Sequence, residues 1–135
     1  MSRPGAGLLD TSVFIAREGN GRLAGGAQRV AVSVVTIGEL QLGVLGATDA
    51  ALRARRADTL ALARNADPLP INEAIMVAWA RPVADCRAAG VQRAVRLTDA
   101  LIAATAVEHG LPFVTQGDDF DAIARAHPAL AVARV

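Results

Sequence analysis

Short apolar or β-branched runs alternate along the chain with longer stretches rich in Ala, Leu and Arg. Such runs predict buried β-strands, and the longer stretches predict α-helices, because Ala, Leu and Arg are good helix formers. The predicted strands lie within residues 7–10, 30–35, 113–115 and 131–133, with at most an edge strand at 68–70 and a further apolar run at 95–97. Alternating strands and helices predict a three-layer α/β/α sandwich with a central, mainly parallel sheet of about four or five strands.

The helical stretches carry their own start and stop signals. Predicted helices cover residues 11–18, 36–45, 50–65, 98–109 and 120–126, and another begins after a cap at Asn72. In that helix Pro82 predicts a kink or a break, because an interior proline costs about 3 kcal/mol or more. The helix 98–109 has an uncharged middle and ends at Gly110, so we expect it to be the most buried one.

Composition limits the classes of protein to which the chain can belong. Its 135 residues fit one domain spanning residues 1–135. A formal net charge of +1 does not by itself indicate a nucleic-acid binder, which would more typically be strongly basic. All 14 basic residues are Arg, which excludes a Walker-type phosphate loop and a Schiff-base lysine.

Cysteine usage and hydropathy indicate where the protein acts. Cys86 is the only cysteine, so neither an intramolecular disulfide nor the usual metal-thiolate spacing can be built. The apolar stretch before Asp10 is too short for a secretory signal, and no run approaches the roughly 18 apolar residues of a membrane span. We therefore expect a soluble, cytoplasmic protein with no membrane association.

Four acidic residues follow apolar runs near the start of predicted helices, namely Asp10, Glu39, Asp99 and Asp119. In a parallel α/β sheet the carboxyl ends of the strands share one edge, where ligands bind. Carboxylates crowded there repel one another unless a hard cation neutralises them. Each acid taken singly also suits a helix cap, a capping box at 36–39 or a helix dipole. Because independent caps have no reason all to follow strands, the combination favours a magnesium or manganese site.

Four sequence blocks together resemble the PIN-domain ribonucleases, and in particular the VapC-type toxins of toxin–antitoxin pairs. The blocks are LLDTSVFI at 8–15, TIGELQLG at 36–43, LTDALIAATA at 97–106 and VTQGDDF at 114–120. The resemblance spans nearly the whole chain in order and spacing. It implies a PIN-like fold and a metal-dependent endoribonuclease that is the toxic component of such a pair.

The resemblance also implies residue roles and partners. Asp10, Glu39 and Asp99 would bind Mg²⁺, and Asp119 would complete an acidic quartet. Gly117 stands where many family members carry Asp or Asn, so Asp118 remains the alternative fourth acid. A cognate antitoxin protein and a homodimer are expected, with interfaces that use apolar residues of the stretch 40–45, namely Leu40, Leu42, Val44 and Leu45.

The predicted ligand set indicates a reaction type. Magnesium usually keeps several waters and is bound by a few carboxylates and a substrate phosphate, and Mn²⁺ can take its place. Metal binding lowers the pKa of such a water and orients it for attack on phosphorus. We therefore predict magnesium-dependent hydrolysis of RNA phosphodiesters, with catalytic acids Asp10, Glu39, Asp99 and Asp119. Three hydroxyl residues, Thr11, Ser12 and Thr115, are candidates for positioning the substrate or the acids.

Other functions fit parts of the same pattern. A housekeeping PIN nuclease that processes RNA would carry the same acids, and a catalytically degenerate RNA-binding module would bind RNA without cutting it. Arginines at 53–56 and 87–96 are candidates for phosphate contacts, although Arg on a helix face is more often only solvated. A phosphatase of the haloacid dehalogenase type is disfavoured, because Ser12 stands where that class needs a second Asp.

Overall fold

The computed structural model describes residues 7–18, 30–90, 96–116, 121–126 and 130–134. The strands are β1 Gly7–Leu9, β2 Val30–Ser33, β3 Pro68–Leu69, β4 Phe113–Thr115 and β5 Val132–Arg134. The helices are α1 Thr11–Ala16, α2 Val34–Leu45, α3 Ala50–Arg64, α4 Glu73–Ala88, α5 Leu97–Glu108 and α6 Asp121–Ala126. The predicted fourth acid, whether Asp118 or Asp119, lies outside the described residues.

The five strands form one parallel sheet in the order β3-β2-β1-β4-β5. Strand β1 is central, and its Leu8 pairs with Ala31 of β2 and Phe113 of β4. At Gly7 an added Cβ would stand 2.9 Å from Cγ2 of Val114, so a larger residue would push β1 and β4 apart. Since all strands point the same way, the residues after β1 and β4 meet at one edge of the sheet.

Helices cover both faces of the sheet, and β1 contributes one leucine to each core. Leu8 packs with buried residues of α4, α5 and α6, whereas Leu9 packs with buried residues of α1, α2 and α3. Both leucines are almost fully buried. This arrangement confirms the predicted three-layer α/β/α sandwich with a parallel sheet.

Most predicted elements are present, and the structure differs from the prediction at three places. Helix α2 begins at Val34 and not at 36, because the Ser33 side chain accepts the Val35 N–H and caps the helix. The apolar run before Asp99 extends into a helix, since Leu97 is already the first residue of α5, and Val95 lies outside the described residues. Pro82 does not break α4, which continues through it to Ala88 with Pro82 buried.

Helix α5 is the most extensively buried helix, as its uncharged middle predicts. Every residue from 102 to 106 is buried, and so are Asp99 and Ala100 in its first turn. The helix ends where Gly110 adopts a φ of 63°, and the Leu111 N–H returns to the Ala106 carbonyl at 2.9 Å. Positive φ favours glycine, so the predicted cap at Gly110 is confirmed.

Cys86 belongs to the core beneath α5 and is 2% exposed. Burial raises the pKa of its thiol, and the neighbouring Asp85 carboxylate raises it further. A buried, protonated thiol is a packing group and not a nucleophile. Within the described residues, no helix is long and apolar enough to cross a membrane.

Candidate functional site

Asp10 follows β1 directly and stands at the N-cap position of α1, where it is 6% exposed. Asp10 thus occupies the predicted N-cap position, but its side chain makes no capping hydrogen bond. Instead its Oδ2 accepts hydrogen bonds from Ser12 Oγ at 2.7 Å and from Thr115 Oγ1 at 3.1 Å. The carboxylate is therefore oriented by hydroxyls from two elements that meet at the carboxyl edge of the sheet.

Ser12 ties these two elements together. Its Oγ also accepts the backbone N–H of Gln116 at 3.1 Å and lies 3.3 Å from Thr115 Oγ1. The start of α1 is thereby bonded to the end of β4 next to Asp10. A side chain held from two directions loses little further freedom when it binds a ligand, which favours a preorganised site.

Glu39 is held by a second group of hydroxyls beside the first. Thr11, the residue after Asp10, donates from Oγ1 to Glu39 Oε1 at 2.7 Å. The hydroxyl oxygens of Thr11 and Thr36 are 3.0 Å apart, and both residues are buried. Because Thr36 and Glu39 are one turn apart inside α2, the predicted capping box at 36–39 is wrong. Asp10 and Glu39 are thus linked through adjacent residues at the start of α1.

Asp99 lies in the first turn of α5 and is 4% exposed. Arg96 binds both of its carboxylate oxygens, with Nε at 3.1 Å from Oδ2 and Nη2 at 3.2 Å from Oδ1. The Arg96 side chain is 68% exposed, so an outward-facing guanidinium covers an inward-facing carboxylate. Since α5 leads into β4 by a short connection, its first turn lies toward the same end of the molecule as the end of β4.

The donors at this end of the sheet are oxygen atoms of carboxylates and hydroxyls, the type that Mg²⁺ prefers. Two of the carboxylates, those of Asp10 and Asp99, are buried, and a buried carboxylate demands a counter-charge. Among the described residues, which do not include Asp118 and Asp119, no group of three or more acidic, His or Cys side chains lies close enough to hold a metal, so Asp10, Glu39 and Asp99 do not by themselves form the predicted cluster. Magnesium is often bound by only one or two carboxylates plus a phosphate, so the donor chemistry fits this ion.

Sequence reasoning missed two contacts in this region. The pattern predicts Thr36 as a helix start, yet its buried hydroxyl contacts Thr11. It names Arg96 among the candidates for phosphate contacts and favours a solvated side chain, which is indeed 68% exposed, but it does not predict the fork that Arg96 forms with Asp99. Of the other predicted arginines, Arg53 and Arg56 donate to the carbonyls of Ala47 and Gly43 and brace the turn between α2 and α3.

A groove of about 190 Å³ opens beside Glu39, and it is lined by Ile15, Glu18, Glu39, Leu40, Gly43 and Arg56. The apolar residues predicted for interfaces divide here into two sets. Leu40 is buried and Val44 packs against the same core. Leu42 and Leu45, in contrast, are 70% and 71% exposed. Only the second pair offers an apolar surface to another molecule.

The fold and the oriented acids define a parallel α/β protein with an oxygen-rich site at the carboxyl edge of its sheet. The PIN domain family matches residues 7–126 of the chain. The chain is 71% identical over 102 residues to Ribonuclease VapC8 of Mycobacterium tuberculosis. This alignment covers 76% of the chain and 91% of VapC8. It is 47% identical over 120 residues to Ribonuclease VapC4 of the same organism, covering 86% and 89% of the two chains.

A solved structure shows the same fold. The crystal structure of VapBC-5 from Mycobacterium tuberculosis, a member of the VapBC family of toxin-antitoxin systems, superimposes with a TM-score of 0.83 at 39% identity. The match covers 98% of this chain and all of that one. The chain therefore belongs to the PIN-domain family, and within it to the VapC group.

Proposed function

We propose that this protein is a divalent-metal-dependent endoribonuclease and the toxic component of a toxin–antitoxin pair. The observation that carries the proposal is the buried Asp10 carboxylate, which two hydroxyls orient at the carboxyl edge of the sheet. The carboxylate makes no capping hydrogen bond with its side chain, which leaves it oriented for a ligand, and the relatives VapC8 and VapC4 are named ribonucleases. A phosphodiester of RNA is accordingly the substrate that we assign to it.

The proposed roles follow from how each side chain is held. Asp10 and Asp99 are the principal metal ligands, because both are buried carboxylates at the same end of the molecule. Glu39 is a further ligand or orients the attacking water, and Asp119, or Asp118, is the outer ligand. A bound Mg²⁺ or Mn²⁺ would supply an activated water and neutralise charge on the phosphate. Three hydroxyl residues orient two of these acids, since Ser12 and Thr115 hold Asp10 and Thr11 holds Glu39.

The proposal extends to protein partners. The matched VapBC-5 structure belongs to a family of toxin-antitoxin systems, and on that basis we assign this chain a cognate antitoxin. Leu42 and Leu45 on α2 are the surface that we assign to a protein partner, because each is more than two-thirds exposed beside the groove at Glu39. Self-association into a homodimer is part of the same proposal.

The test is incubation of the purified protein with total RNA, with and without Mg²⁺, followed by mapping of the cut ends. Asp99→Asn and Asp10→Asn should each lower the cleavage rate by at least about 100-fold, because each removes a charge that the metal needs. Asp49→Asn is the matched control, since exposed Asp49 caps α3 and Asn caps equally well. It should cut at the wild-type rate.

Two results would contradict the proposal. Cleavage that persists in EDTA would show that the reaction needs no divalent metal. Undiminished cleavage by both Asp10→Asn and Asp99→Asn would show that the assigned acids are not needed for catalysis. RNA binding without cleavage would instead favour the degenerate binding module. Toxicity on overexpression, reversed by a small co-encoded protein, separates the toxin from a housekeeping RNA-processing nuclease.

A further inference from the structure

Asp99 already has a cationic partner within the chain. Both carboxylate oxygens face the fork of Arg96, at 3.1 and 3.2 Å, so the pair is bidentate. The carboxylate is 5% exposed at its side chain, whereas the arginine side chain is 68% exposed. Bidentate guanidinium pairs are among the stronger charge-assisted hydrogen bonds, and this one seals the carboxylate from solvent.

A divalent ion on Asp99 would need the same oxygen atoms that Arg96 now holds. The guanidinium cannot lose its charge in a protein, so it must move aside or stand beside the ion as a like charge. Either course costs free energy, and the cost appears as weaker metal binding. Because the arginine side chain is 68% exposed, its guanidinium is in contact with solvent and can exchange the carboxylate for another anion.

We propose that Arg96 is the resident counter-ion of Asp99, that it competes with the divalent metal for this carboxylate, and that on release it binds the RNA phosphate. The inference rests on the proposed function and adds a positioning residue to it. A phosphate held on a metal at Asp99 would lie one coordination distance, about 2.1 Å, beyond the ion. The freed guanidinium would start within hydrogen-bonding distance of that same carboxylate, so the phosphate is within its reach.

The two proposed roles of Arg96 predict opposite effects of its removal on metal affinity and on RNA affinity. A purely structural role predicts that both affinities fall, so the two cases can be distinguished. Replacement of Arg96 by Gln removes the competitor, so metal should bind more tightly, yet it also removes a phosphate contact, so RNA should bind more weakly. A variant that only loosened the first turn of α5 would weaken both. Arg96→Lys keeps the charge without the fork and should fall between Gln and the wild type.

The experiment begins with the RNA-free protein titrated with Mn²⁺ and followed by electron paramagnetic resonance. Arg96→Gln should lower the Kd for Mn²⁺ about three- to tenfold, the range expected for one partly exposed charge pair. At saturating Mn²⁺ the KM for RNA should rise by a similar factor, with a salt dependence about one ion shallower. Arg81→Gln removes the same charge from an exposed position on α4 and should change neither constant.

The outcomes distinguish this inference from the function on which it rests. If Arg96→Gln binds Mn²⁺ no more tightly than the wild type, Arg96 does not compete with the metal for Asp99. If the variant binds Mn²⁺ more tightly but its KM for RNA is unchanged, Arg96 does not contact the RNA phosphate. Absence of Mn²⁺ binding by the wild type, together with full cleavage by Asp99→Asn, would overturn the proposed function itself. Thermal unfolding of each variant, measured in parallel, verifies that the protein is folded.

Discussion

The hydroxyl of Thr11 fixes the position of Glu39. It donates to Glu39 Oε1 at 2.7 Å from a buried position. Thr11→Val keeps the shape of the side chain and removes the donor. A hydrogen bond to a charged group contributes about 1.5–3 kcal/mol, so we expect a cleavage rate at least tenfold lower and a reduced melting temperature. Initial rates on RNA and thermal unfolding measure the two effects.

Thr59 supplies a matched control for this prediction. Its buried hydroxyl lies 3.0 Å from Glu18 Oε1 and 3.1 Å from the Arg55 carbonyl oxygen, and it contacts none of the assigned acids. Thr59→Val should lose a comparable amount of stability and keep the wild-type cleavage rate. Equal losses of rate in the two variants would show that Thr11 acts through general stability and not through Glu39.

Single residues also mark how far the site can be predicted from sequence. The three hydroxyl residues are predictable because Thr11 and Ser12 follow Asp10 and Thr115 ends a predicted strand, and the structure brings Ser12 and Thr115 into contact with Asp10. The ion pair between Arg96 and Asp99, in contrast, cannot be predicted from the sequence. Sequence places Arg96 one turn from the carboxylate, but it does not show whether an arginine or a metal takes those oxygens, since that depends on side-chain placement and on what is bound.

At the scale of secondary structure elements, two glycines should respond to alanine with opposite signs. Gly110 ends α5 with a φ of 63°, where a Cβ is strained, so Gly110→Ala should cost about 1 kcal/mol or more. Gly38 lies inside α2, and an added Cβ there meets nothing within 4 Å. Gly38→Ala should therefore stabilise the protein by about 0.5–1 kcal/mol.

Urea unfolding of the two glycine variants measures this difference directly. For a domain of this size, 1 kcal/mol corresponds to a shift of about 4 °C in melting temperature. If Gly110→Ala matched the wild type, the left-handed cap at the end of α5 would be absent in solution. If Gly38→Ala were destabilising, α2 would not continue through this residue as an open helical face.

The predicted elements are correct where hydrophobic pattern alone decides and wrong where local contacts decide. The buried run before Glu39 predicts β2, but its end is set by the Ser33 cap, which shifts the helix start by two residues. The sequence predicts a kink or a break in α4 at Pro82, and no break occurs. The helix continues because a buried face that includes Val83 and Cys86 packs against the core, and this packing offsets the missing hydrogen bond.

At the scale of the whole molecule, the exposed leucines of α2 should govern association with other chains. Burying the apolar surface of Leu42 and Leu45 in an interface would contribute about 1.5–3 kcal/mol for each side chain. The double variant Leu42→Glu/Leu45→Glu should therefore weaken binding to the proposed partner by at least about 100-fold. Isothermal titration calorimetry with the co-encoded protein, or sedimentation for self-association, measures it.

Val77 on α4 provides the control for that surface. Its side chain is 69% exposed, similar to the two leucines, but it lies on the helix layer at the other face of the sheet. Val77→Glu should leave association and RNA cleavage unchanged. Loss of binding by Val77→Glu with full binding by the leucine variant would place the partner on the α4 side of the sheet and not on α2.

The most direct test of the proposed metal site is the position of a bound divalent ion, measured by anomalous scattering from crystals grown with Mn²⁺. We predict one peak at about 2.1 Å from a carboxylate oxygen of Asp10 and in contact with at least one more of the assigned acids, with Arg96 turned away from Asp99. An ion bound elsewhere, or Asp10 without an ion while Arg96 still holds Asp99 at saturating Mn²⁺, would contradict it.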